Sequence, residues 1–496
     1  MPKNLRTFLD ELNQAFPNDL RTVTKEVDPV FEITGLAAAL EKRNEFPALM
    51  YKNVTGSKLP VLINLFATYE RCALANGAPS VWDAIVQSTE HEENPVETVV
   101  VSREQAPVQE VVLTGKDARL SVLPITHHNE LDAGKFVCSA ATIVKDPDSG
   151  AHNLGIYRHQ VYNDYELGYF VNPSHHGNYV RIRYEELDKP MPVAIAVGHH
   201  PAMLLAAAAQ TARIGGEFEM MGGLMGESTR LVKAVTQDIM VPADAEVVIE
   251  GYIQPRHVRD EGPFGEYPWY YTGLGDRPVI TVTGITMRKD AIWQDINAAH
   301  PEHNSLGMIP KAGSIWRNVR DAVPHAVKIN LPMSGCARLH CYISLTKRAD
   351  GEPKQAAFAA FAAEANLGLI ILVDDDIDPF NEQEVLWAVA TRFEAHEDLA
   401  IIKNALGAHL DPTAYDITKL KHGAMNTKMI IDATKPAPPT YFPKRALVPA
   451  NVVAKIAVGI ATEKLFRRAD STTSMVRLIQ AFSPDRKSTR LNSSHT

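Results

Sequence analysis

The chain lacks most features that mark proteins of membranes, nucleic acids or oxidising compartments. It has four cysteines in 496 residues and none forms a CxxC pair, which predicts reduced, mostly buried thiols. They are Cys72, Cys138, Cys336 and Cys341. No apolar run reaches the length of about eighteen residues that a membrane-spanning helix needs. A formal net charge of -9 without a basic, aromatic-interleaved stripe excludes nucleic acid as the main partner.

Two phosphate-binding motifs are also absent. A GxGxxG turn after an early strand is missing, as is a GxxxxGK[ST] loop, which argues against a nicotinamide-linked reductase and a phosphoryl-transfer enzyme. An acidic cluster at residues 374–378 (DDDID) follows an apolar run. Without a phosphate loop before it, the cluster predicts the entry to a helix with favourable N-terminal carboxylates, not a magnesium site.

What is present indicates an enzyme with several compact parts. A hydrophobic fraction of 45% with mixed charge permits substantial cores in two or three domains. The first ten residues, MPKNLRTFLD, predict the start of a helix and not a signal peptide, so we expect a cytoplasmic location.

The pattern of apolar residues predicts a mixed α+β and α/β chain. Residues 1–120 form an α/β unit, with helices at 5–15 and 81–87 and strands at 48–52 and 99–101. Residues 121–310 are rich in strands and hold one Ala-rich helix at 201–212; the strands are predicted at 136–145, 153–162, 192–197, 246–253 and 279–287. Residues 311–445 alternate strand, helix and strand at 338–345, 354–365 and 369–373.

The end of the chain differs in composition. Residues 446–484 contain two predicted helices, at 451–466 and 474–482. Residues 485–496 are polar, unpatterned and similar to the translated adapter sequence that ends some metagenomic reading frames. We therefore expect the segment 485–496 to be non-native.

The strongest chemical signal is a pair of carboxylates around a tight turn. Glu261 and Glu266 flank the sequence Gly-Pro-Phe-Gly and lead into four aromatic residues. The turn allows both side chains to enter one cavity, and the aromatics would dry it and raise a carboxyl pKa toward neutrality. The alternative is a hairpin loop with two solvated glutamates.

A second signal lies upstream. Residues 153–164 alternate apolar and polar side chains like a half-buried strand, which places Asn153, Tyr157 and Arg158 near the turn at 146–150. An arginine there can grip a carboxylate through a bidentate fork. Taken alone, Arg158 is better explained as an ordinary surface or salt-bridging arginine.

Together the motifs resemble the UbiD family of reversible decarboxylases, in the same order along nearly the whole chain. The segments that carry the resemblance are 153–158 (NLGIYR), 172–176 (NPSHH), 217–226 (EFEMMGGLMG), 237–242 (QDIMVP), 250–253 (EGYI), 261–266 (EGPFGE), 301–307 (PEHNSLG), 373–378 (VDDDID), 384–392 (EVLWAVATR) and 431–435 (IDATK). The resemblance implies a central split β-barrel that binds a flavin and a C-terminal α/β domain for oligomerisation, as a homodimer or hexamer.

The resemblance also implies roles for particular residues. The catalytic Arg-Glu-Glu trio maps onto Arg158, Glu261 and Glu266, with Glu266 as the proton donor. The implied cofactor is prenylated FMN, supplied by a flavin prenyltransferase, with its phosphate bound through Mn²⁺ (or Mg²⁺) and with K⁺ nearby. The metal ligands map onto Asn153, His176 and Glu217, with His175 as a neighbouring alternative. Ile156, Tyr157 and Arg158 belong to the same cofactor-binding motif, and Lys428 is the implied contact to the phosphate.

The chemistry of these side chains agrees with the implied metal, because an amide oxygen, an imidazole and a carboxylate form a mostly hard set suited to manganese or magnesium. The implied reaction is the reversible, non-oxidative release of CO₂ from an aromatic, heteroaromatic or α,β-unsaturated carboxylic acid, with a covalent prenylated-FMN adduct as the electron sink. Candidates for the pocket lining are residues 301–303 and 272–274. The sequence leaves open a flavin-binding maturation partner without turnover and a flavin-dependent oxidoreductase.

Overall fold

The computed structural model describes residues 2–173, 175–209, 214–408, 410–414 and 424–461. The chain divides into two compact units, residues 1–438 and 439–496. The predicted helix at 474–482 and the tail at 485–496 lie outside the described residues, as do the ends of the helices predicted at 201–212 and 451–466.

The helices and strands are named here in chain order. The helices are α1 (Leu5–Ala15), α2 (Glu32–Glu41), α3 (Tyr69–Ala75), α4 (Val81–Glu93), α5 (His176–Glu186), α6 (Ala202–Ala208), α7 (Glu217–Met225), α8 (Pro301–Ser305), α9 (Met308–Ala322), α10 (Glu352–Ala363), α11 (Glu382–Arg392), α12 (Ala395–Asp398) and α13 (Ala450–Ala461). The strands are β1 (Leu20–Val23), β2 (Ala48–Tyr51), β3 (Val61–Ile63), β4 (Val99–Val100), β5 (Val111–Thr114), β6 (Phe136–Val137), β7 (Ala141–Lys145), β8 (His152–Ile156), β9 (His159–Asn163), β10 (Glu166–Gly168), β11 (Met191–Val197), β12 (Arg230–Lys233), β13 (Met240–Pro242), β14 (Val247–Glu261), β15 (Phe264–Gly265), β16 (Tyr271–Thr272), β17 (Gly275–Met287), β18 (Trp293–Gln294), β19 (Ala326–Asn330), β20 (His340–Leu345), β21 (Leu369–Asp374), β22 (Leu399–Leu406) and β23 (Met425–Ala433).

The N-terminal part of the first unit is an α/β layer, as predicted. Its sheet has the order β1-β2-β3-β18, so a strand from the end of the central region completes it. The helix α1 has the predicted bounds because Asn4 caps it, accepting hydrogen bonds from the backbone of Arg6 and Thr7. Leu5, Phe8 and Leu12 then bury one face of α1 at helical spacing.

The central region is a nine-stranded sheet of order β6-β9-β10-β17-β14-β11-β7-β8, with β5 also pairing with β17. The long strands β14 and β17 pair antiparallel along most of their length. The single strands predicted at 136–145 and 153–162 are wrong, because each is interrupted. The chain changes partners at the second break: β8 pairs with β7, whereas β9 pairs with β6 and β10. Arg158 lies in the gap and forms an isolated bridge with Phe170.

The C-terminal part of the first unit is a second α/β layer, as predicted. Its sheet has the order β19-β20-β21-β23-β22. β20, β21 and β23 are parallel, with antiparallel strands at both edges. In the acidic cluster at the end of β21, Arg392 forms ion pairs with Asp374 and Asp376. The helix predicted after it begins at Glu382 and carries two glutamates in its first turn.

The mixed α+β fold class is confirmed, whereas the domain boundaries stay a prediction. Three apolar cores fill the first unit: one joins α1, α3 and α9 to the sheets, another lies under the central strands, and a smaller one lies between α11 and the C-terminal sheet. Among the described residues, no helix has the length and apolar character needed to cross a membrane.

Candidate active site

A short turn brings the two predicted glutamates together. Glu261 ends β14, and the chain then reverses through β15, which pairs with β16. Gly262 has φ +98°, and a Cβ there would lie 2.9 Å from the carbonyl oxygen of Gly273. Only glycine satisfies both constraints. The reversal returns Glu266 to the side of the sheet on which Glu261 ends.

Arg158 joins both carboxylates. Its Nε and Nη2 donate to the two oxygens of Glu261 at 2.9 and 3.1 Å, a bidentate fork. Its Nη1 donates to Oε1 of Glu266, and Nη2 also donates to Oγ1 of Thr272 at 3.2 Å. Arg158, Glu261 and Glu266 are 7%, 1% and 7% exposed. The structure therefore brings the predicted trio together in a buried network.

Aromatic rings enclose this network. The guanidinium carbon of Arg158 lies 3.8 Å from the ring centroid of Phe170 and 4.7 Å from that of Phe264. Phe264 packs in turn on Phe136, with centroids 4.5 Å apart. The rings exclude water, which strengthens each ionic contact inside the site.

The protonation state of Glu266 differs from the expectation. Burial has the largest influence on the pKa of Glu266 and raises it, but the charge of Arg158, together with smaller contributions from neighbouring groups, leaves the pKa below its ordinary value. The expected shift toward neutrality is therefore wrong for the ligand-free site. Oε2 of Glu266 lies 3.9 Å from Nε2 of His303. Burial lowers the pKa of His303 to about 4, so this imidazole is neutral near pH 7.

Asn153 and Glu217, two predicted metal ligands, are in contact. Nδ2 of Asn153 donates to Oε1 of Glu217 at 2.9 Å, and both side chains are buried. Within the described residues, Oδ1 of Asn153 is buried without a hydrogen-bond partner. An amide oxygen and a carboxylate are ligands that a hard divalent cation prefers. The residues present therefore suit the implied metal.

The third predicted ligand lies on a neighbouring helix. His176 is the first residue of α5, and His175 is its N-cap. Tyr157 fixes this helix start, because a Cβ on either Gly155 or Gly177 would approach the Tyr157 hydroxyl to 2.6 Å. The ring of His175 lies 6.0 Å from that of Tyr157. Ile156, the last residue of β8, completes the predicted motif.

Lys428 lies on β23, in the C-terminal sheet. Its ammonium donates to the carbonyl oxygens of Ala365 and Leu367 at 2.9 and 2.6 Å. Burial lowers the pKa of Lys428. Two of its three N–H donors are thus committed to the protein, and its predicted contact to a phosphate stays a prediction.

The sequence did not reveal a second buried polar cluster. Nε2 of His128 lies 3.0 Å from Oδ2 of Asp295, and Nδ1 lies 3.9 Å from Sγ of Cys138. The three donor atoms lie within 4.8 Å of one another. Val137 of β6 pairs with His159 of β9. Continuing this antiparallel register by one residue places Cys138 opposite Arg158. Burial raises the pKa of Cys138 to about 11, which makes it an unreactive thiol.

Arg338 was also missed. Its guanidinium carbon lies 4.5 Å from the ring centroid of Tyr267, the residue after Glu266. Arg338 belongs to the C-terminal domain and lies between Gly335 and β20. The two residues before it, Cys336 and Ala337, have positive φ angles of 55° and 51°. No local pattern in the sequence indicates that this arginine reaches the site.

The comparisons with known proteins agree with the geometry. The chain matches three domains of the UbiD family, described as 3-octaprenyl-4-hydroxybenzoate carboxy-lyase: the N-terminal domain (residues 14–88), the Rift-related domain (99–301) and the C-terminal domain (304–433). It is 32% identical over 460 residues to the phenolic acid decarboxylase of Sedimentibacter hydroxybenzoicus, covering 89% of this chain and 93% of that protein.

Two solved structures show the same fold. The UbiD-class enzyme HmfF from Pelotomaculum thermopropionicum, in complex with FMN, has a TM-score of 0.85 and 38% identity, covering 92% of this chain and 99% of that one. The apo 3,4-dihydroxybenzoic acid decarboxylase (AroY) of Klebsiella pneumoniae has a TM-score of 0.82 and 27% identity over the same shares. The chain therefore belongs to the UbiD family and is a carboxy-lyase.

Proposed function

We propose that this carboxy-lyase releases CO₂ reversibly and without oxidation from an aromatic or heteroaromatic carboxylic acid, with prenylated FMN as its cofactor. The observation that carries the proposal is the buried fork of Arg158 between Glu261 and Glu266. The names of the relatives support it, since they are decarboxylases of phenolic and 3,4-dihydroxybenzoic acids. FMN is bound in one HmfF structure and prFMN in another.

The cofactor site would use the residues around β8. Asn153, His176 and Glu217 would hold Mn²⁺ or Mg²⁺ against the flavin phosphate, with K⁺ nearby and Lys428 as a further phosphate contact. The free amide oxygen of Asn153 supports this assignment. When bound, prenylated FMN supplies the electron sink that an aromatic ring lacks.

Arg158 positions the substrate. Its guanidinium is the cation beside both glutamates, so an incoming carboxylate has a charged partner there. Glu261 holds two of the guanidinium donors and fixes its plane. The rings of Phe170 and Phe264 keep water from the carbon that loses its carboxylate.

Glu266 delivers the proton, and the substrate itself prepares it to do so. The charge of Arg158 favours the carboxylate form of Glu266. A substrate carboxylate competes for Arg158 and adds a negative charge beside Glu266. Both effects raise the pKa of Glu266, so burial prevails and the side chain takes up a proton. After CO₂ leaves, this acid protonates the vacated carbon.

The decisive experiment measures CO₂ release and deuterium exchange at the vacated carbon across a panel of aromatic and acrylic acids. The protein is produced with and without a flavin prenyltransferase. We expect turnover of at least one aromatic acid, and only by protein from the co-expression. Equal activity from both preparations would exclude prenylated FMN, and turnover of acrylic acids alone would exclude an aromatic substrate.

The metal assignment has a readout other than turnover. His176→Ala and Glu217→Ala should lower the manganese and flavin contents of purified protein, because the cation joins the phosphate to the protein. Glu97→Gln, an exposed change, is the matched control. Full manganese and flavin occupancy in both alanine variants would remove these residues from the metal site.

A further inference from the structure

The turn that carries Glu266 has little secondary structure of its own. The two-residue strand β15 forms a two-stranded sheet with the equally short strand β16. A hairpin of this size is only marginally stable without further support. Glu261 differs, because it ends the 15-residue strand β14 and accepts two donors of Arg158. The position of Glu266 therefore depends on groups outside the hairpin.

The buried carboxylate of Asp132 supports the turn. Its Oδ1 accepts a hydrogen bond from the backbone N–H of Gly265 at 2.8 Å, and Asp132 is 6% exposed. Gly265 is the residue directly before Glu266. A hydrogen bond to a carboxylate is about twice as strong as one between neutral groups. Asp132 thus fixes the peptide next to the proposed proton donor.

Asp132 is itself held within a short loop, residues 129–133. Its Oδ2 accepts hydrogen bonds from the backbone N–H and from Nδ2 of Asn129, at 2.9 and 3.3 Å. The backbone N–H of Asp132 donates to the carbonyl oxygen of Asn129 at 3.1 Å. The next residue, Ala133, donates its N–H to the carbonyl oxygen of Pro263 at 2.9 Å. The 129–133 loop therefore makes a second hydrogen bond with the turn.

The loop reaches the turn because Gly265 has no side chain. A Cβ at this position would lie 2.7 Å from Nδ2 of Asn129 and 3.2 Å from the Cβ of Ala299. Glycine is the residue that permits so close an approach to the backbone. Its N–H can then meet a buried carboxylate.

Gln160 makes the corresponding contact at the other end of the turn. Its Oε1 accepts a hydrogen bond from the N–H of Gly262 at 2.9 Å. Glu261, just before Gly262, also has the bidentate fork of Arg158 to fix it. Glu266 accepts from only one nitrogen of Arg158. Its position is therefore the more sensitive of the two to the support of the turn.

We propose that Asp132 is a positioning residue for proton transfer: through the N–H of Gly265 it holds the carboxyl group of Glu266 within reach of the substrate carbon. The inference rests on the proposed function, in which Glu266 is the proton donor. Displacement of a reacting group by about 1 Å can lower a rate about 100-fold. Loss of Asp132 should spare substrate binding, because Glu261 keeps the guanidinium of Arg158 in place.

Three variants separate positioning from folding. Asp132→Ala removes the acceptor of the Gly265 N–H, whereas Asp132→Asn keeps one acceptor oxygen and removes the charge. Asp117→Ala, an exposed change outside the site, is the control. Thermal melting and flavin content are measured for each variant. Turnover is measured in co-expressed protein with the aromatic acid that the wild type converts fastest.

The expected result is a loss of rate without a loss of affinity. Asp132→Ala should lower kcat and deuterium exchange by about 10- to 100-fold. The dissociation constant of the same acid, measured by calorimetry on protein that carries FMN in place of prenylated FMN, should change by no more than about threefold. Asp132→Asn should keep more of the rate than Asp132→Ala, because its amide oxygen still accepts from Gly265.

A second readout needs no turnover. Burial raises the pKa of Glu266, and contact with Arg158 lowers it. If the turn shifts in Asp132→Ala, the guanidinium offsets burial less well, so the pKa of Glu266 should rise. An infrared pH titration of the Glu266 carboxyl, assigned with Glu266→Gln in the same background, measures this rise.

Two results would overturn the proposal. One is a folded Asp132→Ala in which kcat and the infrared titration match the wild type. The other is a loss of substrate affinity as large as the loss of kcat, which would make the role of Asp132 generally structural. If Asp132→Ala does not fold, Asp132→Asn decides, and a rate and titration equal to those of the wild type refute the positioning role. If fully loaded wild type converts no acid, the proposed function fails, while a raised pKa of Glu266 in Asp132→Ala still supports the positioning.

Discussion

Two buried glutamates near the site, Glu266 and Glu302, differ in the direction of their pKa shifts. Glu266 is held by the guanidinium of Arg158, and its pKa lies below the ordinary value. Glu302 accepts three backbone N–H groups, from Asn64, Asn297 and Phe66, at 2.8, 2.8 and 3.2 Å. Burial raises the pKa of Glu302 to about 7 despite these donors.

The difference shows which interaction controls a buried carboxyl group here. Both side chains are excluded from water, so burial alone would raise both pKa values. Backbone dipoles offset only part of that effect at Glu302, whereas at Glu266 the charge of Arg158, with smaller contributions from neighbouring groups, outweighs it. A nearby arginine is therefore the main influence that favours the carboxylate form of the proposed proton donor.

The largest effect is expected from Glu266→Gln. The amide has nearly the same shape but cannot donate a carboxyl proton, so turnover and deuterium exchange should fall by about 10² to 10⁴. Flavin content and substrate affinity should persist. Glu97→Gln makes the same chemical change on the surface and should leave the rate intact. Near-normal exchange in Glu266→Gln would refute the proton-donor role.

Removing Arg158 should make Glu266 behave like Glu302. In Arg158→Met both glutamates lose the guanidinium that pairs with them, although Arg277 stays 3.8 Å from Glu261, and the free energy of unfolding near pH 7 should fall by about 3 to 5 kcal/mol. The infrared band of the protonated Glu266 carboxyl can be assigned by comparison with Glu266→Gln in the same background. As the pH is lowered, this band should appear at a higher pH in Arg158→Met than in the wild type. An unchanged pKa of Glu266 would show that another group holds it as a carboxylate.

The sequence predicted the trio because its chemistry lies in short motifs. Glu261 and Glu266 flank one glycine-rich turn, and Arg158 lies in a motif of its own. The sequence did not predict the strand break at Tyr157 and Arg158. The alternation of apolar and polar residues continues through the break, whereas the strands that pair with the chain differ on its two sides. Strand partners depend on tertiary structure, which local periodicity does not record.

The sequence also did not predict the direction of the pKa shift of Glu266 or the position of Arg338 beside Tyr267. The aromatics after Glu266 indicate a dry site, but the sign of the shift depends on which charged groups the fold places around Glu266. Arg338 comes from another domain and makes its contact through Tyr267, 71 residues earlier (338 minus 267). Such long-range contacts follow from the fold.

Glu302 makes a pH-dependent contribution to stability. Its pKa is about 7 in the folded state, against 4.5 as its ordinary value. Folding therefore favours the protonated form, and this contribution is present below about pH 4.5 and lost as the pH rises through about 7. Relative to Glu302→Gln, the wild type should lose about 3 kcal/mol across that range. Denaturant unfolding at several pH values measures this, and parallel curves would contradict the raised pKa.

The smallest effect is expected from His303→Gln. Burial lowers the pKa of His303 to about 4, so near pH 7 the ring is neutral and contributes little charge to Glu266 at 3.9 Å. The substitution should shift the pH dependence of kcat/KM by less than about one unit, because the charge of Arg158 has a larger influence than His303 on the pKa of Glu266. The pH profile of the variant, measured beside Arg158→Lys as a variant that keeps the charge, tests this. A larger shift would mean that His303 is protonated in the working enzyme and acts on Glu266 as a further cation beside Arg158.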